Sequence, residues 1–183
     1  MPNDSDNKIS RNEILISTLH EIETVKKNLT IEVGTLLSPN GKIIKEWEGD
    51  DESVSIPIED YKNKSLWENN IYTHNHIIGL HFSVDDIERF CELSLSELRI
   101  SIPSNSFFSI IKKKGFYTKL ANEVMRDKVG SFSKGMELAI NRGLVFNDND
   151  FADKLYRLRI EHAHNWFENN AAKYNYIYEK GEL

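Results

Sequence analysis

The sequence predicts an α/β protein of the α+β kind, with a mixed central sheet flanked by helices and a helical C-terminal extension. Apolar residues recur at helical spacing near the N-terminus, at a spacing of two in the middle of the chain, and again at helical spacing beyond Gly115. The 183 residues suffice for one domain with an appendage. With 39% hydrophobic and 28% charged residues, the chain has the composition of a folded protein.

The first predicted element is an amphipathic helix that follows a polar segment. Residues 1–9 are polar, and we expect them to be disordered. The helix is indicated by six apolar residues at helical spacing: Ile14, Leu15, Leu19, Ile22, Val25 and Leu29. We expect the α/β domain to cover residues 10–114 and the C-terminal extension to cover residues 115–183.

Short strands are predicted next, because the spacing of apolar residues changes to two. A hairpin is expected from residues 31–37 and 42–47, joined by the strong turn signal Ser-Pro-Asn-Gly at residues 38–41. Alternating apolar residues predict a third short strand at residues 54–58. Residues 59–69 are mostly polar and are expected to form a loop or a short helix.

A further strand is predicted at residues 71–76, with Tyr72, His74 and His76 on one face. A helix is expected to begin just after Ser83. The remaining predicted elements are a hairpin formed by residues 99–103 and 107–112, and helices over residues 116–127, 133–141 and 148–179.

Charge and composition exclude several classes of function. The formal net charge of −6 argues against general binding to nucleic acid, and the basic run at residues 112–114 is typical of a solvated turn. No stretch approaches the roughly 20 apolar residues that span a bilayer, and residues 1–5 lack the pattern of a leader peptide. A lone Cys91 cannot form an internal disulfide or a four-cysteine metal site. We therefore expect a cytoplasmic protein that binds neither nucleic acid nor membrane.

Two histidines and an aspartate predict a zinc site. His74 and His76 are two residues apart on one strand, so their imidazoles project to the same side. Asp86 lies in the first turn of the next helix, three residues after Ser83, and can complete a three-ligand site. Three protein ligands leave one zinc position open for water, whose pKa the ion lowers to about 7.

Hydrolysis also needs a group that moves a proton and a donor that stabilises the oxyanion. Glu32 is the candidate for the first role, because it occupies an inward position of the first strand where a carboxylate has no structural purpose. Ser83 is the candidate oxyanion donor. The rivals of Glu32 all lie nearer to turns: Glu46, Glu48 and Glu52.

The order of three segments resembles the motif of the JAB/MPN (JAMM) zinc metalloproteases. These segments are Glu32, then His74-Asn75-His76, then Ser83-Val84-Asp85-Asp86. The segments Thr-His-Asn-His and Phe-Ser-x-x-Asp are most similar to the bacterial and phage-associated branches that include RadC-like proteins. The resemblance implies a JAB/MPN-like domain at residues 10–114, in which the histidines and the aspartate bind Zn²⁺, the glutamate is the general acid/base and the serine supports the oxyanion. It further implies a metallopeptidase or isopeptidase that acts on a protein or peptide.

Other interpretations stay open. The residues from Ser83 to Asp86 are also a good helix start without any metal. The chain could therefore be a catalytically inactive JAB-like structural or interaction module, related to phage proteins. His81 could be a further ligand, but a loop histidine at this point is expected to be exposed. His162 and His164 lie on the last predicted helix, where packing is the simpler interpretation.

Overall fold

The computed structural model describes residues 13–78, 80–144 and 149–183, so the predicted disordered segment 1–9 lies outside the described residues. Within the described ranges the chain forms seven helices and six strands. In chain order these are α1 (Glu13–Lys26), β1 (Val33–Leu37), β2 (Ile43–Glu48), α2 (Ile58–Lys62), α3 (Lys64–Trp67), β3 (Ile71–Asn75), α4 (Val84–Glu92), β4 (Glu97–Ile102), β5 (Ser106–Lys112), α5 (Leu120–Arg126), α6 (Phe132–Asn141), α7 (Phe151–Tyr174) and β6 (Tyr176–Glu182).

The six strands form one mixed sheet in the order β2-β1-β3-β4-β5-β6. Strands β3 and β4 are parallel, and every other neighbouring pair is antiparallel. A parallel pair needs a crossover, and α4 provides it. The predicted α+β class, with a mixed sheet flanked by helices and a C-terminal helix, is therefore confirmed. In the part of the chain that the structure describes, no helix is both long and apolar enough to span a membrane.

The two faces of the sheet are covered differently. Leu36, Tyr72 and Phe108 face the larger core, which α4, α5 and α7 complete. Leu37 and Ile71 face the other way and pack against α1. Successive side chains of a strand alternate between faces. Strand β3 therefore directs His74 toward the larger core and its neighbour Thr73 toward α1.

Buried charges attach α1 to the sheet. Arg99 of β4 donates to both carboxylate oxygens of Glu23, at 2.6 and 2.7 Å, and to Glu97 at 3.2 Å. Thr73 donates to the same Glu23 at 2.9 Å. Because Arg99 is the cation paired with the buried Glu23, removing Arg99 would leave that charge uncompensated, a loss that typically costs about 3–5 kcal/mol. This network lies on the face opposite to His74.

The hairpin predicted from residues 31–37 and 42–47 is confirmed. The predicted strand at residues 54–58 is wrong. Val54 forms only an isolated bridge with Gly49, and Ile58 begins α2. Pro57 stands between them and has no N–H to donate to a neighbouring strand. The three apolar residues alternate without forming a strand: Val54 is buried, Ile56 is half-buried, and Ile58 is exposed. Residues 59–69 contain short helical turns. A short helix is one of the two structures that the sequence predicts for this segment, the other being a loop.

The last predicted helix, at residues 148–179, is correct in its middle and wrong at its end. Its first residue lies outside the described residues, and α7 ends at Tyr174. Asn175 then adopts a left-handed conformation with φ 56° and ψ 54°, which favours the end of a helix. Strand β6 follows and pairs with β5 along its whole length. The C-terminal part is thus helical up to Tyr174 and contributes an edge strand to the sheet.

Candidate metal centre

The two histidines converge at the end of β3. The Nε2 atoms of His74 and His76 lie 2.9 Å apart, and both side chains are almost fully buried. His76 follows the last residue of β3, yet its N–H still donates to Ser101 at 2.9 Å, so the pairing with β4 continues past the strand. This continued pairing keeps both rings on one face, as the spacing of two residues predicted.

Asp86 meets both histidines from the first turn of α4. Its Oδ1 lies 3.1 Å from His74 Nε2, and its Oδ2 lies 3.3 Å from His76 Nε2. Asp85 beside it is exposed. Two ligand atoms about 2.0–2.1 Å from a tetrahedral zinc ion lie roughly 3.3 Å apart. The two imidazoles and the carboxylate are therefore close enough to one another to be ligands of one metal ion.

Glu32 reaches the same point from the segment just before β1, not from within the strand as predicted. The ligand atoms of Glu32, His74 and His76 all lie within 4.8 Å of one another. The backbone of Glu32 is held by Asp50 and Gly49, through hydrogen bonds of 2.6 and 2.9 Å. The cluster thus contains two histidines with a glutamate and an aspartate, within the distance at which a metal ion can be bound.

The rival glutamates lie elsewhere. Glu46 accepts a hydrogen bond from Lys26 at 2.7 Å, and its side chain is about half exposed. Glu48 and Glu52 are exposed as well. Of the four glutamates considered from the sequence, Glu32 is the one that the fold brings to the histidines.

The charges of the cluster are mutually dependent. Burial opposes the ionisation of Asp86, but the two adjacent imidazoles hold its pKa well below the usual range. Burial lowers the pKa of His74, so this ring is neutral and has a lone pair for a metal. Burial would also lower the pKa of His76, but Asp86 outweighs it and raises the pKa to about 8. A metal that binds His76 near pH 7 must therefore displace a proton.

Burial likewise governs the protonation of Glu32. It raises the pKa of this carboxyl from 4.5 to about 7, although the neighbouring His76 opposes the rise. The charge of Asp86 adds to the effect of burial. Glu32 can therefore gain and lose a proton near neutral pH, which is the property required of a group that both accepts and returns one.

Hydrogen bonds orient two of the three predicted ligands. His76 donates from Nδ1 to the Leu80 carbonyl at 3.0 Å, which directs Nε2 toward His74 and Asp86. Asp86 Oδ2 accepts from the hydroxyl and from the N–H of Ser83, at 2.7 and 2.8 Å. Ser83 in turn accepts from the N–H of Asp86 and completes a capping box at the start of α4. Ser83 is predicted as an oxyanion donor, but in this structure its hydroxyl donates a hydrogen bond to Asp86.

The cluster opens into a cleft of about 530 Å³. The C-terminal part of the chain lines this cleft with the turn at residues 129–131 and with Arg159, whose Nε donates to the Gly130 carbonyl at 2.9 Å. Arg89 of α4 lines it next to the cluster, where its charge favours the ionised form of Glu32. No short motif marks the residues of the C-terminal part, because only the folded chain brings them to the histidines.

His81 differs from its expectation, because it is buried rather than exposed. Its Nε2 lies 2.8 Å from the hydroxyl of Tyr178 in β6, and its Nδ1 accepts a hydrogen bond from Phe82. Both ring nitrogens are therefore engaged away from the cluster. The aromatic residues that surround the ring, among them Phe108 and Phe167, explain its burial.

Comparisons with protein-family models, with curated proteins and with solved structures found no match for this chain.

Proposed function

We propose that this protein is a zinc-dependent hydrolase of amide bonds, of the metallopeptidase or isopeptidase type. In this proposal His74, His76 and Asp86 hold the metal and Glu32 moves the proton. The observation that carries it is the convergence of two imidazoles and a carboxylate beside a second, protonatable carboxylate at the base of a cleft. Bound Zn²⁺ supplies a Lewis acid and lowers the pKa of water to about 7.

The residues of the chain divide the remaining work. Glu32 takes the proton from the attacking water and delivers it to the leaving nitrogen, which its pKa of about 7 permits in both directions. Asp86 neutralises part of the metal charge and stays ionised. Ser83 orients Asp86 in the resting site, and its hydroxyl serves the oxyanion after rotating toward the cleft that it lines.

The order of these residues supports a place among JAB/MPN-like proteins, in the RadC-like branch. A glutamate before a strand, His-x-His and Ser-x-x-Asp follow one another in the chain and meet in the fold. The cleft of about 530 Å³ has room for a short extended segment, so we propose a protein or peptide substrate. The net charge of −6 disfavours nucleic acid, and we propose a cytoplasmic location.

One observation favours a second candidate, a JAB-like module without catalysis. Asp86 forms ion pairs with both histidines and completes the cap of α4, so these residues pair with one another without a metal. Such a cluster would stabilise a structural or interaction module of a phage-related kind. Metal content and the effect of Glu32 on hydrolysis separate the two candidates.

The first test is the metal content of purified, untagged protein. We expect about one zinc per chain in the wild type and less than a tenth of that in the double variant His74→Ala/His76→Ala. The matched control is His20→Ala/His162→Ala, which removes two histidines outside the cluster and should keep the zinc. Equal, negligible zinc in the wild type and in the first double variant would refute the proposal.

The second test measures hydrolysis of a quenched fluorescent peptide library by zinc-loaded protein. Glu32→Gln should retain zinc and lose at least about a hundredfold in rate, the usual contribution of a general acid/base. Glu48→Gln changes an exposed glutamate in the same way and should be fully active. Zinc-loaded wild type that cleaves no faster than Glu32→Gln supports the module without catalysis.

A further inference from the structure

We infer that Tyr178, in the last strand, is a positioning residue for the metal centre, which it orients through His81. The inference rests on the proposed function, because it concerns the same metal. It gives a functional role to β6, a segment for which the sequence predicts neither a strand nor a function. The relevant segment of the site is residues 80–83, between the second histidine and α4.

The hydrogen bonds of His81 have a single consistent direction. The N–H of Phe82 donates to His81 Nδ1 at 2.9 Å, so Nδ1 carries no proton and Nε2 carries it. His81 Nε2 therefore donates to the hydroxyl of Tyr178, 2.8 Å away. The hydroxyl of Tyr178 in turn donates a hydrogen bond to Nδ1 of His164, at 2.9 Å. Tyr178 thus supplies, from the far end of the chain, the acceptor that this tautomer of His81 requires.

Packing leaves His81 little freedom to find another partner. Its ring is stacked on Phe167 with centroids 4.9 Å apart, and it lies 4.2 Å from Phe108. Only 4% of His81 is exposed, so water does not readily replace the tyrosine hydroxyl. Without that hydroxyl, either Nε2–H stays buried without an acceptor, or the proton moves to Nδ1 and opposes the N–H of Phe82. Both outcomes disturb residues 80–83.

Residues 80–83 orient two of the three proposed ligands. The Leu80 carbonyl accepts from His76, and Ser83 donates twice to Asp86. His81 stands between these two contacts and is the point at which the segment is tied to the sheet. Groups that orient ligating side chains typically change metal affinity by 10–100-fold when they are removed. Tyr178 acts one contact further away, so we expect an effect of about tenfold.

The experiment compares Tyr178→Phe with Tyr176→Phe. Both residues lie on β6, and each loses one tyrosine hydroxyl; that of Tyr176 donates to the Phe167 carbonyl at 2.6 Å, so its hydrogen bond does not involve residues 80–83. Zn²⁺ affinity is measured by competition with a chromophoric chelator, and ligand geometry by the visible spectrum of the Co²⁺ form. We expect Tyr178→Phe to bind Zn²⁺ about tenfold more weakly, with an altered Co²⁺ spectrum. Tyr176→Phe should match the wild type in both.

A double-mutant cycle with His81→Ala tests the route. If Tyr178 acts through His81, the variant that carries both substitutions binds Zn²⁺ as His81→Ala alone does. Additive effects, or equal losses in both tyrosine variants, would show that the hydroxyl contributes only general stability, and would overturn the inference. Wild type that binds metal no better than Tyr178→Phe overturns the inference alone. Wild type that binds neither ion overturns the proposed function and the inference with it.

Discussion

Glu32 is held in a position that favours chemistry over stability. Burial raises its pKa from 4.5 in an ordinary environment to about 7 in the folded protein. The folded state therefore binds this proton more tightly than the unfolded chain does. The contribution of Glu32 to stability is fully present below pH 4.5 and is lost as the pH rises through about 7. A carboxylate kept in such a place is typical of a functional site.

Glu32→Gln should therefore stabilise the metal-free protein at high pH. The glutamine does not ionise, so the gain over the wild type should be near zero below pH 4.5 and reach on the order of 3 kcal/mol above pH 8. Urea unfolding of both proteins in EDTA, on either side of this range, measures the difference. A difference that does not change with pH would contradict the buried position of Glu32.

Glu46→Gln provides a control of opposite sign. The hydrogen bond from Lys26 lowers the pKa of Glu46 below 4.5, so its contribution is present above that pH and is lost as the pH falls through the lowered pKa. Glu46→Gln should therefore be less stable than the wild type near neutral pH and should approach it in acid. Glu32, just before β1, and Glu46, on β2, would thus give opposite pH dependences.

Among the contacts of single residues, the sequence best predicts those that depend on local secondary structure alone. The approach of His74 to His76 follows from strand alternation, and the position of Asp86 follows from its place in a helix start. The approach of Glu32 depends on the pairing of β1 with β3, which no local pattern reveals. The contact between His81 and Tyr178 joins residues 97 positions apart, so nothing in either neighbourhood indicates it.

Among the elements, α4 has the most direct influence on the site, because its N-cap also holds a proposed ligand. Ser83→Ala should destabilise the protein by about 1 kcal/mol, the usual loss for an N-cap serine. It should also weaken Zn²⁺ binding by roughly tenfold, because Asp86 loses the hydrogen bond from the hydroxyl. Thermal unfolding measures the first effect, and chelator competition measures the second.

Ser131→Ala is the matched control for the cap of α4. Ser131 caps α6 by accepting a hydrogen bond from the N–H of Lys134 at 3.2 Å, and it makes no contact with Asp86. Its substitution should cost similar stability and leave Zn²⁺ affinity unchanged. If both variants lose affinity in proportion to their stability, Ser83 is a helix cap and nothing more.

Prediction of the elements succeeded where periodicity was sustained and failed where it was short. The hairpin formed by β1 and β2 follows from two alternating runs around a strong turn signal. The stretch at residues 54–58 also alternates, but Pro57 prevents regular pairing. Strand β6 had a signal that was missed: Asn175 favours the end of a helix, and Tyr176 and Tyr178 then alternate.

At the scale of the whole molecule, the cleft is assembled from three distant stretches of the chain. The hairpin region contributes Glu32, the unit from β3 to α4 contributes the proposed ligands, and the C-terminal helices contribute Arg159 and the turn at residues 129–131. Strand β6 closes the arrangement through the contact between Tyr178 and His81. A metal at the cluster would therefore hold several elements together and should stabilise the fold as a unit.

Zinc should accordingly raise the unfolding temperature of the whole protein. At a free Zn²⁺ concentration a hundredfold above Kd, binding to the folded state alone contributes about 2.7 kcal/mol, or roughly 5–10 °C in Tm for a chain of this size. Mg²⁺ should give no rise, since it prefers six oxygen ligands to imidazoles. Calorimetry of the wild type and of His74→Ala/His76→Ala measures both. A single transition that zinc moves upward only in the wild type fits a metal held across the fold, whereas an equal rise in the double variant places the zinc elsewhere on the chain.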